Sequence, residues 1–135
     1  MRPAQYAVNE YRQTHVNAGT AYADPHTLIL MLYSGLEERL AIAKGAIVRK
    51  AYAEKGRALG SAIDIVSYLQ ACLNLNQGGE LAENLDRLYV YINQRLLVAG
   101  TKNDLDALEE VGTLVRSIKS GWEGIRDFAR RTDIW

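Results

Sequence analysis

Few residues in this chain are of a kind that carries chemistry. The candidates are His15, His26, Cys72 and the adjacent carboxylate pairs Glu37-Glu38 and Glu109-Glu110. A structural or catalytic zinc site draws Cys and His at short, regular spacings, and here neither histidine stands in a pattern with Cys72 or with the other. A di-iron centre in a helical bundle needs inward glutamates and two Glu-x-x-His pairs, yet no glutamate has a histidine three residues on. Neighbouring residues of a helix point in different directions, so both carboxylate pairs read as solvated surface. Gly78-Gly79 lacks the preceding strand and following Gly-Lys-Ser/Thr of a phosphate loop and reads as a turn between helices. The expectation is a protein that is not an enzyme and holds no metal and no cofactor.

The chain has 135 residues, enough for one domain that hides about two-thirds of the surface exposed by its unfolded form. Sixteen basic residues balance sixteen acidic ones, so no broad positive field exists to condense on the phosphates of nucleic acid. Cys72 is alone and forms no intramolecular disulfide, which suits a reducing compartment. The opening MRPAQYAVNEYRQTH lacks the apolar core of a secretory signal, and no stretch approaches the roughly 20 apolar residues of a membrane span. A cytoplasmic protein without membrane insertion is expected.

Two prolines and abundant Leu, Ala and Glu favour helices. With Asp24 as N-cap and Pro25 in the first turn, the spacing predicts a first long helix to about Val48, striped by Leu28, Ile29, Leu32, Leu36, Leu40, Ala43 and Ile47. A second, about Glu54 to Leu75, carries Leu59, Ala62, Ile63, Val66, Leu69 and Leu73. A third, about Glu80 to Ala99, carries Leu81, Leu85, Leu88, Tyr89, Ile92 and Leu96, with Gly100 placed to end it. The fourth starts near Asn103 or Asp104 and repeats Leu108, Val111, Val115, Ile118, Trp122, Ile125 and Ala129. Amphipathic helices with short connections make an all-α, antiparallel up-and-down four-helix bundle over residues 24–131. Residues 1–22 form a short N-terminal helix or cap segment, too short and weakly apolar to stand alone.

The bundle leaves apolar residues over. On the first helix Leu30 projects among His26, Glu37 and Lys44, away from the stripe, while Met31 and Ile42 share another flank. On the third, Val90 and Leu97 lie one heptad apart opposite the stripe, and Tyr91 and Val98 make a second such pair. Single apolar residues are normal on surfaces, and a homodimer partner or the cap segment accounts for such rows as well. The functional reading is a groove for an amphipathic helix or extended peptide of another protein, lined by Leu30, Met31, Ile42, Tyr89, Val90, Tyr91, Leu97 and Val98. Eight tyrosines against two tryptophans and one phenylalanine suit contact surfaces, because Tyr joins a large area to a polar tip.

The runs PHTLILMLYSG, GGELAENLDRLYVYINQRLLVA and KNDLDALEEVGTLVRSIKSGWEGI, in this order and spacing, closely resemble the bacterial flagellin export chaperone family, FliS. The family's Pro-x-x-Leu-x-x-Met-Leu pattern falls on Pro25, Leu28, Met31 and Leu32, its Asn-Leu-x-x-Leu-Tyr-x-Tyr pattern on Asn84, Leu85, Leu88, Tyr89 and Tyr91, and its late tryptophan on Trp122. The resemblance implies a helical bundle that binds the disordered C-terminal segment of flagellin in the cytoplasm. It would prevent premature filament polymerisation and deliver the subunit to the type III export gate protein FlhA, with no cofactor and no nucleotide. It also implies that Val8 and Tyr11, matching an apolar-x-x-Tyr pair in the leader, help the loaded chaperone engage the gate. Gly100-Thr101 and the terminal Arg-Arg-Thr-Asp-Ile-Trp depart from the family's pattern.

Overall fold

The computed structural model describes residues 25–124; the expected cap, with Val8, Tyr11 and His15, and the segment after Gly124 lie outside the described residues. Four helices fill this span: α1 (Pro25–Arg49), α2 (Tyr52–Ala71), α3 (Gly79–Lys102) and α4 (Leu105–Gly124), and no strand occurs among the described residues. Each helix packs on its neighbours in the order α1, α2, α3, α4 and back to α1, whereas the diagonal pairs α1–α3 and α2–α4 do not approach closely.

Side-chain bridges fix the register and show every neighbour to be antiparallel. Arg39 reaches Ser61 and Arg49 reaches Glu54 across α1–α2. Gln70 reaches Asp86, Asn93 reaches Ser67 and Lys55 reaches the Gly100 carbonyl across α2–α3. Lys119 meets Glu37 and Lys44 meets Glu109 across α1–α4. Along the axis, alanines at Ala43, Ala62, Ala99 and Ala107 are fully buried and let the helices close in around larger knobs such as Leu32, Leu69, Ile92 and Leu96. Each such Leu or Ile stabilises by about 1.5–3 kcal/mol relative to leaving it exposed.

The turns differ from expectation where polar side chains or left-handed residues intervene. Lys50, with φ +62°, ends α1. Ala51 N–H donates to the Ala46 carbonyl at 2.8 Å and Lys50 N–H to Ile47 at 3.1 Å, the paired bonds of a Schellman motif. The second helix stops at Ala71, short of the expected Leu75, because Asn74 takes over the backbone: its Oδ1 accepts Gln77 N–H at 3.1 Å and its carbonyl accepts Gly78 N–H at 2.7 Å. Gly100 does not end α3. Asn103, at φ 52° and ψ 45°, takes the left-handed position instead, and Gly100 accommodates α2, since a Cβ there would sit 3.3 Å from Leu59 Cδ1. Asp104 caps α4 by accepting Ala107 N–H at 3.1 Å.

The core also contains polar atoms. Tyr33 and Tyr89 bridge the diagonal from α1 to α3 with a hydroxyl-to-hydroxyl bond of 2.6 Å, both rings nearly without exposure. Burial is the main cause that holds both phenols protonated above the ordinary tyrosine range.

Two measurements check this frame. Lys50→Gly relieves a left-handed side chain that costs about 1–2 kcal/mol, so thermal unfolding of K50G should shift upward by roughly 3–10 °C. The tyrosine pair has raised folded-state pKa values, so its contribution is full below the unfolded-chain value of about 10 and is lost as pH climbs through and beyond it, because the unfolded chain releases protons that the folded chain keeps. Denaturant melts should therefore show stability falling steeply from about pH 10 upward in wild type and less steeply in the Y33F/Y89F double variant.

Candidate functional site

Most of the surplus apolar residues stand on the outside of the bundle. Ile42 is 46% exposed, Val90 43%, Tyr91 39% and Leu97 58%. Leu30, Met31 and Val98 are half-buried, with Leu30 and Val98 leaning on the core. Tyr89 requires correction. It is 1% exposed and hydrogen-bonded to Tyr33, so it belongs to the core and not to a surface groove; its place in the stripe with Leu85, Ile92 and Leu96 turns it inward.

These residues do not meet in one groove, because α1 and α3 sit on a diagonal of the bundle. Leu30 shares the α4-facing shoulder of α1 with His26 and Glu37, each of which touches α4. Ile42 lies on the opposite shoulder, in a cleft shared with Ala58 and Ser61 of α2, and Met31 follows it at helical spacing. Val90 and Leu97 flank Asn93, which bonds Ser67 of α2. Tyr91 and Val98 flank Arg95, which bonds Glu110 of α4. Apolar surface thus runs along all four seams, and a ligand contacting all of it must pass around the bundle.

A second feature escaped the sequence pattern. Tyr33, Leu81, Leu85, Ser117, Ile118, Gly121 and Trp122 line an open cleft of about 260 Å³ where α3 and α4 meet α1. Leu81, Leu85, Ile118 and Trp122 read as core stripe, yet Leu81 is 42% exposed. The opening comes from small residues: a Cβ added at Gly121 would meet nothing within 4 Å. Ser117 and Gly121, one helical turn apart on α4 beside its apolar stripe, were the available signal.

Polar bonds hold the walls of these surfaces. His26 is buried and clasps Trp122 reciprocally. The His26 ring, through Nε2, donates to the Trp122 carbonyl at 2.8 Å. The Trp122 indole N–H donates to the His26 carbonyl at 3.1 Å, and the rings stack at 4.9 Å between centroids. On the α3–α4 seam the Tyr91 hydroxyl donates to Glu110 at 2.5 Å and Arg95 Nε donates to the same carboxylate at 2.8 Å. The Glu110 bond pushes the Tyr91 phenol up, and the Tyr91 bond, followed by Arg95, pulls Glu110 below the usual carboxylate range. At neutral pH the phenol remains the donor and the carboxylate remains charged, which pins the ring to the surface.

Burial pushes the Cys72 thiol up, away from the thiolate a nucleophile needs. Among the described residues no three His, Cys, Asp or Glu side chains gather as a metal site, and no helix is long and apolar enough to cross a membrane. The described surface carries an apolar cleft at one end and exposed apolar rows along the seams.

Comparison with known proteins gives the chain a family. The model of the family described as Flagellar protein FliS matches residues 7–129. The chain is 47% identical over 122 residues to the flagellar secretion chaperone FliSB of Pseudomonas aeruginosa, covering 90% of this chain and 97% of that protein. It is 39% identical over 119 residues to the flagellar secretion chaperone FliS of Salmonella typhimurium, covering 87% and 88%. With FliS of Vibrio cholerae the identity is 36% over 119 residues, covering 88% of each. The chain, an all-α four-helix bundle with apolar surface on every seam, belongs to the FliS family of flagellar secretion chaperones.

Proposed function

We propose that this chain binds the disordered C-terminal segment of flagellin, keeps it from polymerising before export, and hands it to the export gate protein FlhA. The observation that carries the reading is the placement of the apolar surface. A folded partner with a flat face would need one contiguous patch, whereas Ile42, the Val90–Leu97 pair and Tyr91 occupy three different seams of a closed bundle. An unfolded chain can reach them all by wrapping, with short helices or extended stretches laid along the seams.

The energetics favour the same mode. Ordering a disordered segment costs several kcal/mol of the gross contact energy, so many modest contacts must add up to the roughly 8 kcal/mol of micromolar binding. The cleft beside Trp122, lined almost wholly by apolar groups, offers a seat for an anchor side chain. The exposed rows supply the distributed remainder, and covering them with client hides apolar side chains on both partners. That mutual cover is how such a chaperone blocks self-association while the client stays unfolded enough to export. We further propose that Val8 and Tyr11, in the leader, serve gate engagement and not client binding.

Titration calorimetry with about the last forty residues of a flagellin, a length set by what wraps a domain of this size, should show one-to-one binding at micromolar affinity or tighter. Leu81→Asp places a charge at the rim of the Trp122 cleft and should weaken that binding at least about tenfold, with helicity by circular dichroism unchanged. No heat with wild type, or a stable dimer that ignores the peptide, would overturn the client reading. For the leader, Tyr11→Ala should leave peptide affinity within about twofold and sharply reduce binding of the loaded complex to the FlhA cytoplasmic domain; unchanged gate binding and motility would refute that role.

A further inference from the structure

We propose that the cleft between α1 and α2 seats an acidic stretch of the client: a carboxylate pairs with Arg57 while an apolar side chain one helical turn away packs on Ile42. This rests on the client reading above and names the chemistry of one of its contacts. The cleft, about 410 Å³, is lined by Arg39, Ile42, Glu54, Arg57, Ala58 and Ser61. Its apolar part is the exposed Ile42 side chain beside the buried Ala58.

The charges around it are unequally committed. Arg39 Nε donates to Ser61 Oγ at 2.9 Å and its guanidinium lies 3.6 Å from Glu38. Glu54 is bound to Arg49 at 2.7 Å. Arg57 is exposed and has no ion-pair partner among the described residues. An approaching cation therefore meets a carboxylate already neutralised by Arg49, whereas an approaching carboxylate meets an uncommitted guanidinium capable of bidentate pairing. On a helix, side chains three or four residues apart share a face, so an apolar residue followed at that spacing by Asp or Glu reaches Ile42 and Arg57 together. The neighbouring Gly60 gives the partner's backbone room, since a Cβ there would meet nothing within 4 Å.

The test is calorimetry at low and high salt with the same flagellin segment of about forty residues, using wild type, R57Q, R57E and I42D, each checked for an unchanged melting temperature. Arg57→Glu should weaken binding about tenfold and Arg57→Gln about threefold, with a shallower salt dependence in R57Q. Ile42→Asp should weaken it at least about tenfold. A segment whose acidic residues are replaced by lysine should bind R57E more tightly than wild type. Wild-type affinity and salt dependence retained by R57E would overturn this seat while leaving the client reading intact. A wild-type dimer abolished by R57E would assign the cleft to a second copy and overturn the seat too. No binding by wild type would sink both.

Discussion

The hydroxyl-to-hydroxyl bond between Tyr33 and Tyr89 crosses a bundle whose diagonal helices do not otherwise approach. Each of these two large buried phenols gives the other a hydrogen-bond partner, and an unpartnered buried hydroxyl costs about 1–3 kcal/mol. Joining them fixes the rotation of α1 and α3 about their own axes, and that rotation decides which residues face out. With Tyr33 and Tyr89 turned inward, Leu30, Met31 and Ile42 fall on the shoulders of α1, and Val90, Tyr91, Leu97 and Val98 on those of α3. The core's geometry and the exposed apolar rows are two consequences of the same helical phase.

The His26–Trp122 clasp makes a similar link at the end of the bundle. Its two reciprocal hydrogen bonds and stacked rings tie the start of α1 to the end of α4, and Trp122 is also a wall of the apolar cleft. A cleft of this kind must stay open while containing residues that would gain by collapsing together. The clasp holds one wall in place, and the small side chains at Ser117 and Gly121 leave the space unfilled. The opposite end is tied by Lys55, whose Nζ donates to the Gly100 carbonyl and to Asn103 Oδ1 at 2.8 and 2.7 Å. Both ends of the described bundle are thus held by hydrogen bonds, while apolar side chains stay exposed along the seams between them.

The helices were legible because their stripes repeat at 3 and 4 residues over many turns, a signal that tertiary context rarely overrides. The boundaries were less so. Asn74 ended α2 through bonds of its own side chain and backbone, and Asn103 took the left-handed position that Gly100 appeared suited to by composition alone. The outward rows were legible by the same periodicity that gave the core, but their separation was not: two rows on one helix face two different seams, and sequence does not say which neighbour lies on each side. The sequence places Tyr89 in the groove as well as in the stripe, and its helical phase, shared with Leu85, Ile92 and Leu96, decides for the core. The Trp122 cleft stayed hidden because a stripe looks the same whether the facing side chains close on it or leave it open.

The central claim is that the client embraces a closed bundle from several sides and does not open it. Methyl-resolved NMR of the chaperone titrated with a flagellin C-terminal segment tests it most directly. The account predicts that Ile42, Leu81 and the Val90–Leu97 pair, which lie on three different seams, all shift together and saturate at one equivalent, while the fully buried Leu32, Ile92 and Val111 barely move. Shifts confined to one seam, or large shifts at those buried methyls, would contradict it.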